Sequence, residues 1–269
     1  MQRFNVLAVL VAGILSSGAV LAETNHHESS TRWHLDDDDD GAGGCRKAGR
    51  GKAVTLPATK LYLEHNATAG DTGVHGLFDG LDWTELCVYD PSGRQVLAVQ
   101  PKAQLKTQAI SGIFFESREP PNAQVPIADI LANFPEGLYS VRGTTLDGKR
   151  MTGAATFTHN IPAAPVVIFP QDGAVVSASD LVIMWEPVTQ TLTGGALSPT
   201  AYEVIVIKDV ANDPHGFSRP NLDVHVPPTQ TTLSIPSEFL EPNTAYKLEV
   251  LVLEVSGNQT ITEGYFQTQ

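Results

Sequence analysis

The sequence has little cysteine, few basic residues and, beyond its first 22 positions, no long apolar run. Two cysteines in 269 residues, Cys45 and Cys87, exclude a disulfide-dense scaffold and any site built on paired Cys-x-x-Cys motifs. The 17 Lys and Arg stand against 30 Asp and Glu, which gives a net charge of -13. A chain this acidic repels phosphate backbones and anionic lipids, so nucleic acid and membrane surfaces are poor partners.

The short motifs of common enzymes are also missing. The mature sequence contains no His-Glu-x-x-His, no Gly-x-Ser-x-Gly and no glycine-rich phosphate loop. Catalytic residues brought together only by the fold stay open, because such sites are defined by geometry and not by order along the chain. The sequence therefore favours a protein that is not an enzyme and needs no cofactor.

The first 22 residues, "MQRFNVLAVLVAGILSSGAVLA", combine an early base, Arg3, with a short apolar run and small residues up to Ala22. This pattern predicts a cleavable secretory signal peptide over residues 1–22. The run is too short for a membrane-spanning helix of about 20 residues. We therefore expect an exported protein, periplasmic or secreted and without a membrane span, whose mature form has 16 bases, 30 acids and a net charge of -14.

Residues 23–54 are poor in large apolar side chains, so we expect this segment to be disordered. It carries "NHHESS" and "HLDDDDDG", which offer imidazoles and carboxylates to divalent metals. A helix-loop-helix calcium site is disfavoured because its twelfth loop position, which normally holds an acid, is Lys47. Two interpretations stay open, a solvated tail and a weak divalent-metal site at His26, His27, His34, Asp36, Asp38 and Asp40.

Short alternating runs separated by turn signals follow in residues 55–162, among them separate runs at residues 72–80 and 84–90, and predict an antiparallel β-rich module. Hairpins are expected at residues 90–93 and 146–149, and the one run with helical spacing covers residues 127–134. A proline-rich connector leads into a second β-rich region, 163–269, whose strand spacing suits a two-sheet sandwich. The fold class predicted is all-β, with two antiparallel β-sandwich modules in tandem.

The second region contains "LEPNTAY" at residues 240–246, which resembles the L-x-P-x-T-x-Y corner of fibronectin type III domains. Trp185 lies where that fold places its core tryptophan. The resemblance implies structural roles for five residues, namely Trp185, Leu240, Pro242, Thr244 and Tyr246. Residues 56–165 in turn resemble the first module of exported bacterial proteins that carry one fibronectin type III domain, a likeness that implies export and architecture but no catalytic residues.

Cys87 lies in "WTELCVYD", where strand alternation places it opposite Leu86 and Val88 on a face with charged neighbours. We therefore expect Cys87 to be accessible. A disulfide to Cys45 and two free thiols are equally open, because the sequence does not establish the close approach of the Cα atoms that a disulfide requires.

Other polar and aromatic residues have both a functional and a structural interpretation. An ion could be held by turn residues of the first module, although turn formers are the more common role; these are His65, Asp71, His75, Asp79 and Asp82. His159 lies between the modules as a hinge residue or, if beside Glu116 or Glu119, as a catalytic base. Exposed aromatics could bind sugar, with Trp33, Trp83 and Tyr89 as candidates.

The function expected from these observations is contact with another protein or a cell-envelope component by an exported, non-enzymatic β-sandwich protein. An alternative is an extracytoplasmic divalent-metal-binding protein that uses the tail rich in His and Asp. An enzyme with a site between the modules is the weaker alternative.

Overall fold

The computed structural model describes Cys45, residues 49–210 and residues 219–269. The predicted signal peptide, residues 1–22, and nearly all of the segment predicted as a disordered tail lie outside these residues. Cys45–Gln269 forms one compact unit, and its core falls into two hydrophobic clusters, one for each predicted module. The described chain is an all-β protein of the sandwich class with two short helices.

The first module contains seven strands and both helices. Its elements in chain order are β1 (Arg50–Thr55), β2 (Ala58–Asn66), β3 (Asp71–Tyr89), β4 (Gln95–Val99), α1 (Ala103–Gln108), β5 (Ile110–Glu116), α2 (Ile127–Asn133), β6 (Gly137–Thr145) and β7 (Lys149–Phe157). The hairpins predicted at residues 90–93 and 146–149 are confirmed, because they join β3 to β4 and β6 to β7 in antiparallel pairs.

The long strand β3 pairs with two different groups of strands along its length. Its first part pairs with β2 and β5, and its second part pairs with β4 and β6. The change of partner falls at Gly80, whose φ of 110° lies in a region that other residues rarely adopt. A Cβ at this position would also lie 2.7 Å from Pro57. Both parts of β3 supply core side chains, including Phe78 and Trp83, so this one bent strand joins the two layers around the first core.

The described part of the second module contains eight strands in two sheets. They are β8 (Val167–Phe169), β9 (Ala174–Val176), β10 (Val182–Trp185), β11 (Ala201–Lys208), β12 (Asn221–Val226), β13 (Thr232–Ser234), β14 (Ala245–Leu253) and β15 (Gln259–Thr268). One sheet has the order β13-β10-β8, and the other has the order β15-β14-β11-β12, with β9 parallel to β15. Alternating side chains of β11, such as Val204 and Val206, fill the space between them.

The corner at Tyr246 connects the two sheets of this module. The Tyr246 hydroxyl accepts a hydrogen bond from the Glu241 amide (2.8 Å) and faces the Phe239 carbonyl (3.4 Å). Leu240 is buried, and the Thr244 hydroxyl donates to the Pro242 carbonyl (3.0 Å), which fixes the turn.

Trp185 is buried in the same core and packs against Tyr202, with ring centroids 5.4 Å apart. This arrangement and the strand order make the second module similar to a fibronectin type III fold. The first module has a related corner, because Tyr139 donates to the carbonyl of Pro135, four residues earlier (3.1 Å).

The two modules share a sheet. Glu64, His65 and Asn66 of β2 pair in parallel with residues 259–261 of β15, which makes one continuous hydrogen-bonded path from β1 to β12. The junction is tightened by Asn258, whose side-chain oxygen accepts from the Leu63 amide (2.8 Å) and whose side-chain nitrogen donates to the Thr158 carbonyl (2.9 Å). The modules are therefore connected through backbone pairing as well as through the linker.

Three local predictions are wrong. Residues predicted as two strands, 72–80 and 84–90, belong to the single strand β3. A second helix, α1, exists; it buries no residue and so leaves no apolar periodicity to detect. The end of the segment predicted as disordered, 23–54, forms β1, because its backbone pairs with β7 and needs few apolar side chains to do so.

Candidate functional site

A group of ionisable side chains lies on the face of the continuous sheet that β2 and β3 share. Tyr62 of β2 lies directly opposite His75 of β3, and alternation places Glu64 on the same face. Glu119, three residues after the end of β5, completes the group. A Cβ at Gly73 would lie 2.6 Å from a carboxylate oxygen of Glu119, so the missing side chain at this position makes the approach possible.

His75 is the centre of this cluster and is fully buried. Its Nε2 lies 2.9 Å from Glu119 Oε1, and its Nδ1 lies 3.6 Å from Glu64 Oε2. The imidazole makes edge-to-face contacts with the rings of Tyr62 and Phe114, whose centroids lie 5.4 Å and 5.7 Å from its own. These contacts fix the plane of the imidazole. Glu64, His75 and Glu119 each offer one possible metal-ligand atom, and these three atoms lie within 4.8 Å of one another.

Burial and charge act in opposite directions on the two central groups. Burial raises the pKa of Glu64 to about 7, although the nearby His75 charge and a hydrogen bond from Gln259 lower it. Burial alone lowers the pKa of His75, but the hydrogen bond to Glu119 and the charges of Glu64 and Glu119 raise it above its ordinary value. The cluster therefore retains a proton close to neutral pH.

The same sheet face continues into the second module as a band of charged groups. Lys247 Nζ lies 2.7 Å from carboxylate oxygens of both Glu249 and Glu263, and all three side chains are largely buried. Further along, His225 Nε2 lies 3.3 Å from Glu203 Oε1, with Asp223 beside them. Burial, with the Glu203 charge, raises the pKa of Asp223 to about 6. This second cluster is open to water, which weakens its interactions.

A different kind of surface lies where β8, β9 and β15 meet. Five of the eleven exposed large apolar side chains of the described chain are found here, and we call them the apolar edge: Val166, Ile168, Phe169, Val175 and Tyr265. Two of them, Val166 and Tyr265, line an open groove of about 390 Å³ between β8 and β15, which Ala67 and Thr68 of the first module also line. Among residues 49–210 and 219–269, no strand pairs with the outer side of β8.

The metal-binding residues predicted in the tail, His26, His27, His34, Asp36, Asp38 and Asp40, lie outside the described residues, so that site stays a prediction. Of the turn residues considered for an ion site in the first module, His75 alone belongs to a group that could hold a metal among the described residues. His65 instead places Nδ1 3.0 Å from both the Asp71 carbonyl and the Thr72 hydroxyl.

His159 contacts a main-chain carbonyl through its ring and a glutamate side chain through its backbone amide. Its Nε2 lies 2.8 Å from the Phe134 carbonyl, and Glu136 accepts a hydrogen bond from its amide (2.7 Å). Glu119, considered as its acidic partner, contacts His75 instead. The geometry at His159 is thus that of a hinge residue.

The aromatic candidates for sugar binding do not form a platform in the described chain. Trp83 is completely buried in the first core, so it offers no exposed face to a sugar. Tyr89 is covered by Arg142, whose guanidinium carbon lies 5.0 Å from the ring centroid. Trp33 lies outside the described residues.

Cys87 is buried, so the expected accessibility is wrong. Alternation placed it on a polar face, but Cys45 covers that side of the strand and is itself buried. A disulfide joins the two residues, with their Cα atoms 5.9 Å apart. This bond fixes the start of the described chain to β3.

Sequence reasoning missed Glu64 and assigned Glu119 to His159 instead of His75. Glu64 had a usable signal, because "LYLEHN" alternates Leu61 and Leu63 with Tyr62 and Glu64, and a strand within a sheet can bury both faces. Glu119 follows β5 in an irregular segment, where no periodicity shows which way a side chain points.

Among the described residues, neither helix is long and apolar enough to cross a membrane. The sequence matches no protein-family model and no curated protein.

Several solved structures are similar at low TM-scores. The FN1–FN3 domains of chicken CNTN1 match with 13% identity and a TM-score of 0.31, over 82% of this chain and 69% of that one. The third fibronectin III domain of human KIAA0343 protein matches with 20% identity and a TM-score of 0.30, over 40% of this chain and 84% of that one. A tetra-tandem repeat from the extending region of a large adhesion protein matches with 12% identity and a TM-score of 0.26, over 79% and 50%.

Proposed function

We propose that this protein is an exported, non-enzymatic β-sandwich protein that binds a protein partner outside the cytoplasm through the apolar edge of its second module. The observation that carries the proposal is the concentration of exposed apolar side chains beside an open groove. A concentration of exposed apolar side chains is unfavourable in water and marks places where another molecule binds.

The partner proposed is an extended protein segment with apolar side chains. Edge strands with an unpaired side can accept a further strand, and the neighbouring pockets then select its side chains. On β8 this side carries Ile168, whose carbonyl accepts a hydrogen bond from the Gln171 side chain (2.6 Å). The incoming strand would therefore displace Gln171, a side chain on the surface, without disturbing the core.

The shared sheet connects this binding surface directly to the first module. Because β2 and β15 pair, a load applied at the apolar edge passes through β15 into the first module by backbone hydrogen bonds. A rigid pair of modules suits a spacer or an adaptor in the cell envelope. The charge of the chain agrees with a protein partner, since an acidic mature protein disfavours phosphate-rich ligands.

Photo-cross-linking in the full-length, exported protein tests the binding surface. A photoreactive residue placed at Ile168 should give a discrete adduct with one extracytoplasmic protein, whereas the same residue at Val255, an exposed position on the β14–β15 turn, should not. The adduct should disappear in the Val166→Asp background. Equal labelling from both positions, or no adduct at Ile168, would contradict the proposal.

Export is tested separately. The protein should be recovered outside the cytoplasm with Glu23 as its first residue, as determined by mass spectrometry of the intact chain. Recovery in the cytoplasm with residues 1–22 retained would contradict export without affecting the proposed surface.

A further inference from the structure

The cluster around His75 has features that hydrogen bonding within the fold does not explain. His75 is fully buried, and its Nδ1 has no hydrogen-bond partner among the described residues. A buried polar atom without a partner is unfavourable and uncommon in folded proteins. This nitrogen lies 3.6 Å from Glu64 Oε2, too far for a hydrogen bond.

We propose that Glu64, His75 and Glu119 form a binding site for a divalent transition metal of the zinc type, with Nδ1 of His75 and the carboxylate of Glu64 as ligands and Glu119 as the residue that positions the imidazole. The site lies within the folded first module and is independent of the tail residues considered above. It also goes beyond the proposed protein-binding function.

The distance between the two ligand atoms suits one ion. Zinc bonds to imidazole nitrogen and carboxylate oxygen are about 2.0–2.2 Å long, so two ligands at a tetrahedral angle stand about 3.4 Å apart. The 3.6 Å between His75 Nδ1 and Glu64 Oε2 is close to this value. Imidazole and carboxylate ligands together are typical of zinc and related divalent ions.

Glu119 occupies the position of a supporting residue. A histidine that binds metal through one nitrogen usually donates the other N–H to a carboxylate, which fixes the tautomer and the ring plane. Glu119 Oε1 lies 2.9 Å from Nε2, so Nε2–H donates to it and Nδ1 is left as the lone-pair nitrogen. The ring contacts of Tyr62 and Phe114 hold the same orientation.

Local charge favours a cation. Glu64, Glu116 and Glu119 all act electrostatically on His75, so the site carries more acid than base. Glu64 is buried beside His75, and a bound dication would offset the cost of burying its negative charge.

Calorimetric titration of the mature chain with zinc chloride tests the proposal, using a protein in which His26, His27 and His34 are changed to Ala so that the tail contributes little. One zinc site should persist in this background. Glu64→Gln should weaken its affinity by at least about 10-fold, and Glu119→Gln by about 10-fold or more. Glu203→Gln is the matched control, because it removes a carboxylate from the exposed cluster at His225 and should leave the affinity unchanged.

X-ray absorption of the zinc-loaded tail variant supplies a measurement that does not depend on a substitution at a buried position. The spectrum should show that the zinc is coordinated by a single imidazole together with oxygen ligands. Loss of all binding when the tail histidines are removed, an unchanged affinity in Glu64→Gln, or a spectrum without imidazole would overturn the proposal.

Discussion

The side-chain oxygen of Asn258 accepts a hydrogen bond from the main-chain amide of Leu63, 195 residues earlier in the chain, at 2.8 Å. Asn258 is fully buried in the turn between β14 and β15, and its amide nitrogen donates to the Thr158 carbonyl. One side chain of the second module thus satisfies two backbone groups of the first. The shared sheet and this side chain together make the modules one structural unit.

Replacing Asn258 with Ala should destabilise the protein by about 1–3 kcal/mol, because it leaves the buried Leu63 amide without a partner. Urea denaturation followed by circular dichroism measures the change in the free energy of unfolding. Asn160→Ala, at an exposed position near the same junction, is the control and should change it by less than about 0.5 kcal/mol. Equal effects of the two substitutions would show that the junction adds little stability.

The Tyr246 corner should contribute through its hydroxyl group. Tyr246→Phe keeps the buried ring but leaves the Glu241 amide without its acceptor, so we expect a loss of about 1–2 kcal/mol in the free energy of unfolding. Tyr265→Phe, which removes a hydroxyl from a partly exposed ring, should be close to neutral. A Tyr246→Phe protein as stable as the wild type would contradict a stabilising role for the Tyr246 hydroxyl.

Disulfide formation should stabilise the first module. The bond closes a loop spanning 42 residues, and chain entropy predicts a stabilisation of about 3–4 kcal/mol for a loop of that size. A variant with Cys45 and Cys87 both changed to Ala should lose about this amount in denaturant titrations. Added reductant should lower the stability of the wild type and leave the variant unchanged; the same response from both proteins would contradict this prediction.

Stability should depend on pH through Glu64. Its pKa is about 7 in the folded protein, against 4.5 for an unperturbed glutamate, so between these values the folded protein binds more protons than the unfolded one. The free energy of unfolding therefore decreases as the pH rises from about 4.5 to 7. His75, whose folded pKa is also raised, acts in the same direction as the pH passes through that pKa.

Glu64→Gln should flatten this dependence by an amount on the order of 1–3 kcal/mol across the window. Thermal denaturation at a series of pH values, in the presence of a chelator, compares the variant with the wild type. Glu238→Gln, at an exposed glutamate outside both clusters, serves as the control. A wild-type curve that runs parallel to the Glu64→Gln curve throughout this range would contradict the role of Glu64.

Much of the fold could be predicted because its signals are local. The hairpins at residues 90–93 and 146–149 follow from turn chemistry, and β10 to β15 each correspond to a run of β-rich sequence. The bend in β3 could not be predicted, because a single glycine inside a strand pattern does not show whether the strand ends or changes its partners. The helix α1 was not predicted because it packs no side chain into the core and therefore has no apolar periodicity.

The candidate sites were harder to predict than the strands. His75 was recognised as a possible ligand, but its expected companions were turn residues near it in the sequence. Its actual neighbours come from β2 and from the segment after β5, and Glu119 is 44 residues away. Exposed apolar positions such as Ile168 look like ordinary strand residues until the sheets are assembled and show which edge is left unpaired.

The amino-acid sequence by itself determined which segments become strands, where the chain turns and which Tyr closes the second sandwich, because these depend on side-chain period and on neighbours within a few residues. The tertiary structure decided that β2 pairs with β15, that His75 lies between Glu64 and Glu119, and that the face carrying Cys87 is covered. Backbone hydrogen bonds between strands are nearly independent of side-chain identity, so pairing between distant segments is selected by the packing of the whole chain.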